Sequence, residues 1–343
     1  MGLEVGNIII EDVSFGRQTR LEGRCLIVDP TALGDFLCRR DARLRKVDLF
    51  WAKKGESTRI LCVKDVIEPR CKVSGDTTGE GRIHILKKVA VITCGKIIGY
   101  QEGIIDMSGP GALYTPFSQT MNLVLEIEVK KDLPPRQHEE AAREAGLAAA
   151  AYIADTGRAV EPDTLDTFAD LESPAVSPEL PRTAYLYLLL SQGLLHDTYV
   201  FGEDAKRKSP CIIAPRLLMD GAIVSGNCVS ACDKNTTYHH QNNPIIAELY
   251  RKHGKELNFV GVVLSNESAR LAGKNDSAAK AIELIKNLKA QGVVISKEGF
   301  GNPDADQMML TRGLEQAGIK VVSIPGRTAF PNPWPMLPRR PRP

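Results

Sequence analysis

The sequence predicts an α/β protein in which a mostly β N-terminal domain is followed by a doubly wound parallel-sheet C-terminal domain. Three observations carry that prediction. Short β-branched runs fill residues 1 to about 130, a strand–helix–strand–helix–strand alternation fills the last third, and alanine-rich helical sequence followed by an acidic, proline-rich stretch lies between them.

In the first part, NIIIEDV, GRCLIVD, RILCVKDVI, KVAVITCGKIIGY and NLVLEIEVK have strand lengths and are separated by Gly, Asp and Pro, with no long 3.6-residue period. Residues 1–135 are therefore expected to form a β-rich domain. KKDLPPRQHEEAAREAGLAAAAYIADTG then opens on a proline pair and continues in strong helix formers from about Glu139 to Ala154. With VEPDTLDTFADLESPAVSPELPR after it, residues 136–182 read as a helix plus an acidic, proline-rich linker.

Residues 183–327 read as the α/β domain. NFVGVVLS (258–265), GVVISK and IKVVSI (319–324) are expected strands, with helices at SAAKAIELIKNLKAQ (277–291) and near 305–317. Such alternation implies parallel pairing through right-handed crossovers. The last nineteen residues, PGRTAFPNPWPMLPRRPRP, hold seven prolines and four arginines and resemble nothing upstream, so 328–343 are read as an aberrant tail. A disordered tail explains this composition; alternatively, with one base restored near Arg327 the degenerate codons can read an ordinary globular sequence, Asp-Gly-Leu-Ser-Gln-Ser-Leu-Ala-Asp-Ala. A frameshift after Arg327 is expected, and with it the loss of the end of the α/β domain.

Composition narrows the function. The 343 residues are 43% hydrophobic and 25% charged, and 44 basic against 42 acidic residues leave a net charge of +2. No basic stripe interleaved with aromatics appears, so nucleic acid is not an expected partner. The apolar run TAYLYLLLSQGLL (183–195) falls short of a membrane span, and the first residues have neither a signal-peptide nor a myristoylation pattern. Eight scattered cysteines without an export signal read as reduced thiols, and the expected location is the cytoplasm.

The stretch AIVSGNCVSACDKNTTYHHQNNP (222–244) concentrates the chemistry. Cys228, Cys232, His239 and His240 could ligate zinc, although adjacent histidines do not easily face one ion, and a non-catalytic zinc-binding α/β protein is the alternative this allows. Cys228 after the flexible Ser225-Gly226-Asn227 could be a thiol nucleophile with a histidine base. It could also attack the carbonyl of Asn227, turning the amide into a thioester; β-elimination, tautomerisation and loss of ammonia would then leave an N-terminal pyruvoyl group. A structural thiol in a polar loop explains the same residues. Nearby, Asn235, Asn242 and Asn243 are expected to satisfy turn backbones, and Ser108-Gly109-Pro110-Gly111 to form a tight turn. Cys94, in an apolar strand, reads as core. The loop Glu298–Asp304 follows a strand where open α/β sheets bind ligands, but a left-handed turn capped by Asp304 explains it equally well.

Longer motifs add a family. SGNCVSACDKNTTYHHQNNPII, SQGLLHDTYVFG, MDGAIVSGN, EGFGNPDAD, KDVIEPR, VITCGKIIGYQEGIIDMSGPG and YTPFS together closely resemble the proprotein subunit of component B of the glycine, sarcosine and betaine reductases, itself related to the D-proline reductase proprotein. The likeness runs from about residue 3 to Arg327. It implies cleavage at Asn227–Cys228 into pieces of 227 and 116 residues, with Cys228 becoming a covalent pyruvoyl cofactor and no metal. It also implies the reaction: reductive cleavage of the C–N bond of a small amino-acid substrate that condenses with the pyruvoyl carbonyl as an imine. The acetyl carbon would pass to a selenoprotein carrier, with a selenocysteine-containing component B subunit and an acetyl-phosphate-forming component as further partners. His239 or His240 could carry the protons, with surface loop histidines the alternative, and Cys232, four residues past Cys228, is a further candidate or else a plain packed thiol. A quaternary amine such as betaine has no lone pair for that condensation, and the motifs do not choose among the three substrates.

Overall fold

The structure is a computed structural model that describes residues 2–95, 103–171, 178–193, 195, 197–226 and 234–324. It is an α/β protein. The expected tail and the frameshift position at Arg327 lie outside the described residues.

Two mixed sheets organise the first part. One has the order Thr164–Phe168, Leu3–Ile9, Gly81–Lys87, Arg70–Ser74; the other runs Gly103–Asp106, Arg59–Ile67, Val89–Cys94, Met121–Val129, Leu44–Ala52. The strand Thr164–Phe168 lies inside the stretch that composition reads as linker. It pairs antiparallel with Leu3–Ile9 while Asn7 Nδ2 donates to Asp166 at 2.8 Å, and its side chains are mostly exposed, so no apolar alternation marks it.

Helix Pro135–Ala154 lies across these sheets and buries Ala141, Ala142, Ala145, Ala149 and Ala150, whose small side chains let it approach closely. At Gly146 a Cβ would stand 2.4 Å from the Thr93 methyl, so only glycine fits. A second helix, Pro30–Arg40, is invisible to periodicity because it buries only Leu33 and Leu37. Its start is nevertheless well signalled: Asp29 caps the Ala32 N–H at 2.9 Å, with Pro30 in the first turn.

One turn is backbone-limited. Gly81 has φ +71°, and a Cβ there would meet the Ser74 carbonyl oxygen at 2.1 Å. Gly81→Ala is expected to cost more than the ~1–2 kcal/mol of a left-handed residue alone, read as a shift in the urea midpoint at unchanged slope.

The C-terminal sheet has the order Cys211–Ile213, Asn258–Asn266, Arg182–Leu189, Gly292–Lys297, Lys320–Ile324. All neighbours are parallel except the Cys211–Ile213 edge. Helices Leu271–Asn287 and Asn302–Gln316 cover one face over Leu186, Val263 and Ile295. On the other face, Tyr185 and Tyr187 stack at 5.3 Å and pack in one core with Leu3, Ile85, Ile246 and Leu249. The chain thus winds to both faces, as expected for a doubly wound sheet. The first of its helices starts six residues before the expected 277, because LAGKNDS lacks an apolar stripe, and ends at Asn287, where Lys289 at φ 50° turns the chain toward the next strand.

Candidate active site at the carboxyl edge of the parallel sheet

Among the parallel strands, the first in sequence, Arg182–Leu189, is flanked by the second, Asn258–Asn266, and the third, Gly292–Lys297. Successive connections leave in opposite directions there, and the carboxyl ends at such a switch point are the usual ligand position in these sheets. Glu298 stands at that point, directly after its strand and fully buried.

Its carboxylate gathers three separate segments. It accepts the Leu190 N–H at 2.8 Å, the Thr198 hydroxyl at 3.1 Å and the Asn235 N–H at 2.9 Å. His240 Nε2 lies 3.5 Å from its Oε1. Burial pushes the acid up, but the attraction of His240 and these bonds outweigh it and hold Glu298 below the ordinary carboxylate value. It is a buried anion.

His240 completes a chain of hydrogen bonds. Asn235 Nδ2 donates to Tyr187 Oη at 2.9 Å, and Tyr187 Oη lies 2.9 Å from His240 Nδ1. Tyr187 Oη therefore holds the ring by Nδ1 and leaves Nε2 facing Glu298. His239 has a different setting. Its Nδ1 lies 3.1 Å from Thr236 Oγ1 in the capping box of helix Thr237–Gln241, and its ring packs 5.3 Å from Phe117. Burial, helped by His240, pushes its pKa down to about 3, so it stays neutral.

The residues on either side of 227–233 converge here. Gly226 donates to the Asp197 carbonyl at 2.7 Å, while the Lys234 ammonium donates to the Gly226 carbonyl. Ser225 N–H donates to Thr237 Oγ1 at 2.9 Å. Thr237 in turn donates its N–H (2.8 Å) and its hydroxyl (2.5 Å) to Asp65, in the KDVIEPR motif. The same motif supplies Glu68, which binds Arg70 at 2.9 Å, Lys87 at 2.8 Å and Asn242 at 3.0 Å. The N-terminal half therefore fixes the helix that carries both histidines.

Burial pushes Asp65 up to about 6, against its hydrogen bonds from Thr237. A carboxyl raised above its ordinary 3.8 binds its proton more tightly in the fold, so the stability it contributes is whole below about pH 4 and is lost as pH rises through 6. Asp65→Asn has no proton to lose and keeps an acceptor for Thr237. It is expected to flatten the stability curve between pH 4 and 6 in urea titrations.

Of the asparagines expected to satisfy turn backbones, Asn242 donates to the Tyr238 carbonyl at 3.1 Å, whereas the Asn235 side chain goes to Tyr187 Oη instead. Asn243 accepts from Ile245 N–H at 3.0 Å and donates to Tyr185 Oη at 3.2 Å. Asp304 accepts the Gly301 N–H at 2.7 Å, with Gly301 at φ 76°, so that loop is a capped left-handed turn. Gly109, at φ 73°, leads into the short helix Pro110–Tyr114. Cys94 is buried and its thiol is pushed up to about 12 by that burial. Asn227, Cys228 and Cys232 lie outside the described residues, and with them the zinc alternative. Among the described residues no three His, Cys, Asp or Glu are grouped to hold a metal ion. Tyr187, Lys234 and Asp65 were not singled out by sequence; Glu298 was marked only as the start of the loop Glu298–Asp304 at a ligand position, with no role of its own.

Residues 1–329 match the family model of glycine/sarcosine/betaine reductase component B subunits. The chain belongs to this family. Component B relatives from Peptoclostridium acidaminophilum are similar over nearly the whole chain. "Glycine reductase complex component B subunits alpha and beta" is 49% identical over 337 residues, covering 94% of this chain and 78% of the relative. "Sarcosine reductase complex component B subunit alpha" is 48% identical, covering 95% and 81%. "Betaine reductase complex component B subunit alpha" is 35% identical, covering 97% and 81%. No solved structure matches. Membership supports a reductase role within a complex of several components. Among the described residues no helix is long and apolar enough to cross a membrane.

Proposed function

We propose that this component B chain cuts itself at Asn227–Cys228 and uses the resulting pyruvoyl end to bind a small amino acid for reductive C–N cleavage. The observation that carries the reading is the neck of segment 227–233: Gly226 and Lys234 are bonded to each other, and Asn235 is held by Glu298, at the ligand-binding edge of the sheet. A junction held at both sides is a backbone under control, which thiol attack on a preceding carbonyl requires. The relative whose name gives one chain two subunits, alpha and beta, is consistent with it.

The steps balance. The Cys228 sulfur displaces the amide nitrogen at the Asn227 carbonyl; elimination releases Asn227 as a thioacid and leaves a dehydroalanine end. Tautomerisation and hydration of that end expel ammonia and leave the keto group, and hydrolysis of the thioacid releases hydrogen sulfide. Lys234 holds the peptide that precedes the junction, and His240, backed by Glu298 and linked to Asn235 through Tyr187 Oη, is the proposed proton carrier. The neutral His239 serves the helix cap. Cys232 keeps the position of a thiol inside the segment, without an assigned step.

The donors fit a keto-acyl group, since a cationic amine and a paired imidazole flank the segment that would carry it. When formed, the group supplies an electrophilic carbonyl that no side chain provides. Primary and secondary amines such as glycine and sarcosine suit it, and the acetyl carbon would leave on a selenoprotein carrier, with a selenocysteine-containing subunit and an acetyl-phosphate-forming component completing the reaction in the cytoplasm. The test is a carbonyl-directed hydrazide applied to denatured protein isolated with its partners. Label on a 116-residue piece is expected, and an unlabelled continuous 343-residue chain would contradict the reading.

A further inference from the structure

Glu267 follows the strand Asn258–Asn266 at the same carboxyl edge. Its backbone is locked over the central strand's exit: its N–H donates to Ser191 Oγ at 2.8 Å, and that hydroxyl donates to its carbonyl at 2.7 Å. The side chain has no such partner. It is 1% exposed, and both carboxyl oxygens lack a hydrogen bond among the described residues.

The neighbouring charges are already matched. Glu298, Asp306, Lys297 and Lys274 surround the Glu267 carboxyl. Lys274 donates to Asp306 and to the Asn302 carbonyl, Lys297 donates to the Gly299 carbonyl and pairs with Asp304, and Glu298 is satisfied by three donors and His240. Glu267 is the acid left over. A buried carboxylate with two idle oxygens calls for a cationic donor from outside the fold.

We infer that Glu267 receives the ammonium of a small primary or secondary amine substrate. The inference rests on the reading of this edge as the substrate site. An ammonium offers N–H donors and no acceptor, which is what two unfilled carboxylate oxygens need. A metal cation would want further ligands, and no grouped set of three stands among the described residues. Burial, with the negative charges of Glu298 and Asp306 beside it, raises the proton affinity of this carboxyl well above the ordinary, so the arriving ammonium replaces a proton that leaves to solvent, and the carboxylate so formed is a strong acceptor for one from nitrogen. An amine must lose a proton before it can attack a carbonyl. Here an N–H bond of the ammonium breaks, an O–H bond forms on Glu267, and the electron pair stays on nitrogen.

The test is calorimetric titration of the protein isolated with its partners, using glycine, sarcosine, acetate and magnesium chloride as probes. Wild type is expected to bind glycine and sarcosine at least tenfold more tightly than acetate, which lacks the amine, and Glu267→Gln to lose that preference. Equal binding of glycine and acetate by wild type, or an undiminished glycine preference in Glu267→Gln, would overturn the inference. So would magnesium binding abolished by the substitution while the glycine preference is kept. Because the keto-acyl carbonyl would also favour an amine, the same titration is run on Cys228→Ala protein, which has no such carbonyl: a glycine preference that persists there and is lost in Cys228→Ala/Glu267→Gln supports the inference, and equal binding of glycine and acetate there overturns it. Chain cleavage is read separately by intact mass: an uncut wild-type chain sinks the processing reading, while the glycine–acetate comparison on that chain still reads the amine site.

Discussion

Cys228→Ala is expected to leave a single chain of 343 residues on a denaturing gel, a chain that takes up no carbonyl-directed hydrazide. The effect is complete because each later step depends on the sulfur. Without it there is no nucleophile to displace the Asn227 amide, no thioester to eliminate, and no dehydroalanine to become a keto group. The fold should survive, because the parallel sheet and its cores are built from residues outside 227–233. A variant that still separates into two pieces would place the cut elsewhere. Native gel filtration of the uncut variant and the cut wild type should give the same size. A cut at 227–228 would put the central strand Arg182–Leu189 in the larger piece while its neighbours on both sides, to which it is hydrogen-bonded, fall in the smaller one.

Glu298→Ala should have the largest effect on stability, about 3–5 kcal/mol, as for other buried charges that lose a partner. Four groups are stranded at once: the Leu190 and Asn235 N–H groups, the Thr198 hydroxyl and His240. All lie in or beside the dry edge of the sheet, and an orphaned donor there loses its water without replacement. Cleavage should slow as well, since Asn235 no longer anchors the far side of the segment. Glu298→Gln keeps the shape and one acceptor oxygen, so it should lose less. Urea titration checks both, and a loss below about 1 kcal/mol in the alanine variant would mean that the carboxylate does not hold these segments together.

The β-rich beginning, the long alanine-rich helix and the parallel alternation were legible because each repeats an apolar pattern over its own length. The helix Pro30–Arg40 was not, because two buried leucines make too narrow a stripe, and the strand Thr164–Phe168 hides behind exposed polar residues. The chemistry divides in the same way. Asn227, Cys228, His239 and His240 stand within fourteen residues, so their density alone marks them. Tyr187 meets His240 across 53 positions and Asn235 meets Glu298 across 63, distances over which no spacing rule operates. Sequence could not separate the two histidines either. His239 is a half-buried cap residue and His240 is buried against Glu298, and only the packing distinguishes them.

The central claim is a cut between Asn227 and Cys228 that converts the cysteine into a keto-acyl end. The direct measurement is the intact mass of protein purified with its companion subunits and then denatured. The account predicts two species, the smaller spanning residues 228–343 and lighter than its sequence by the elements of hydrogen sulfide, with an NH group exchanged for oxygen. One continuous chain retaining the Cys228 thiol would contradict it.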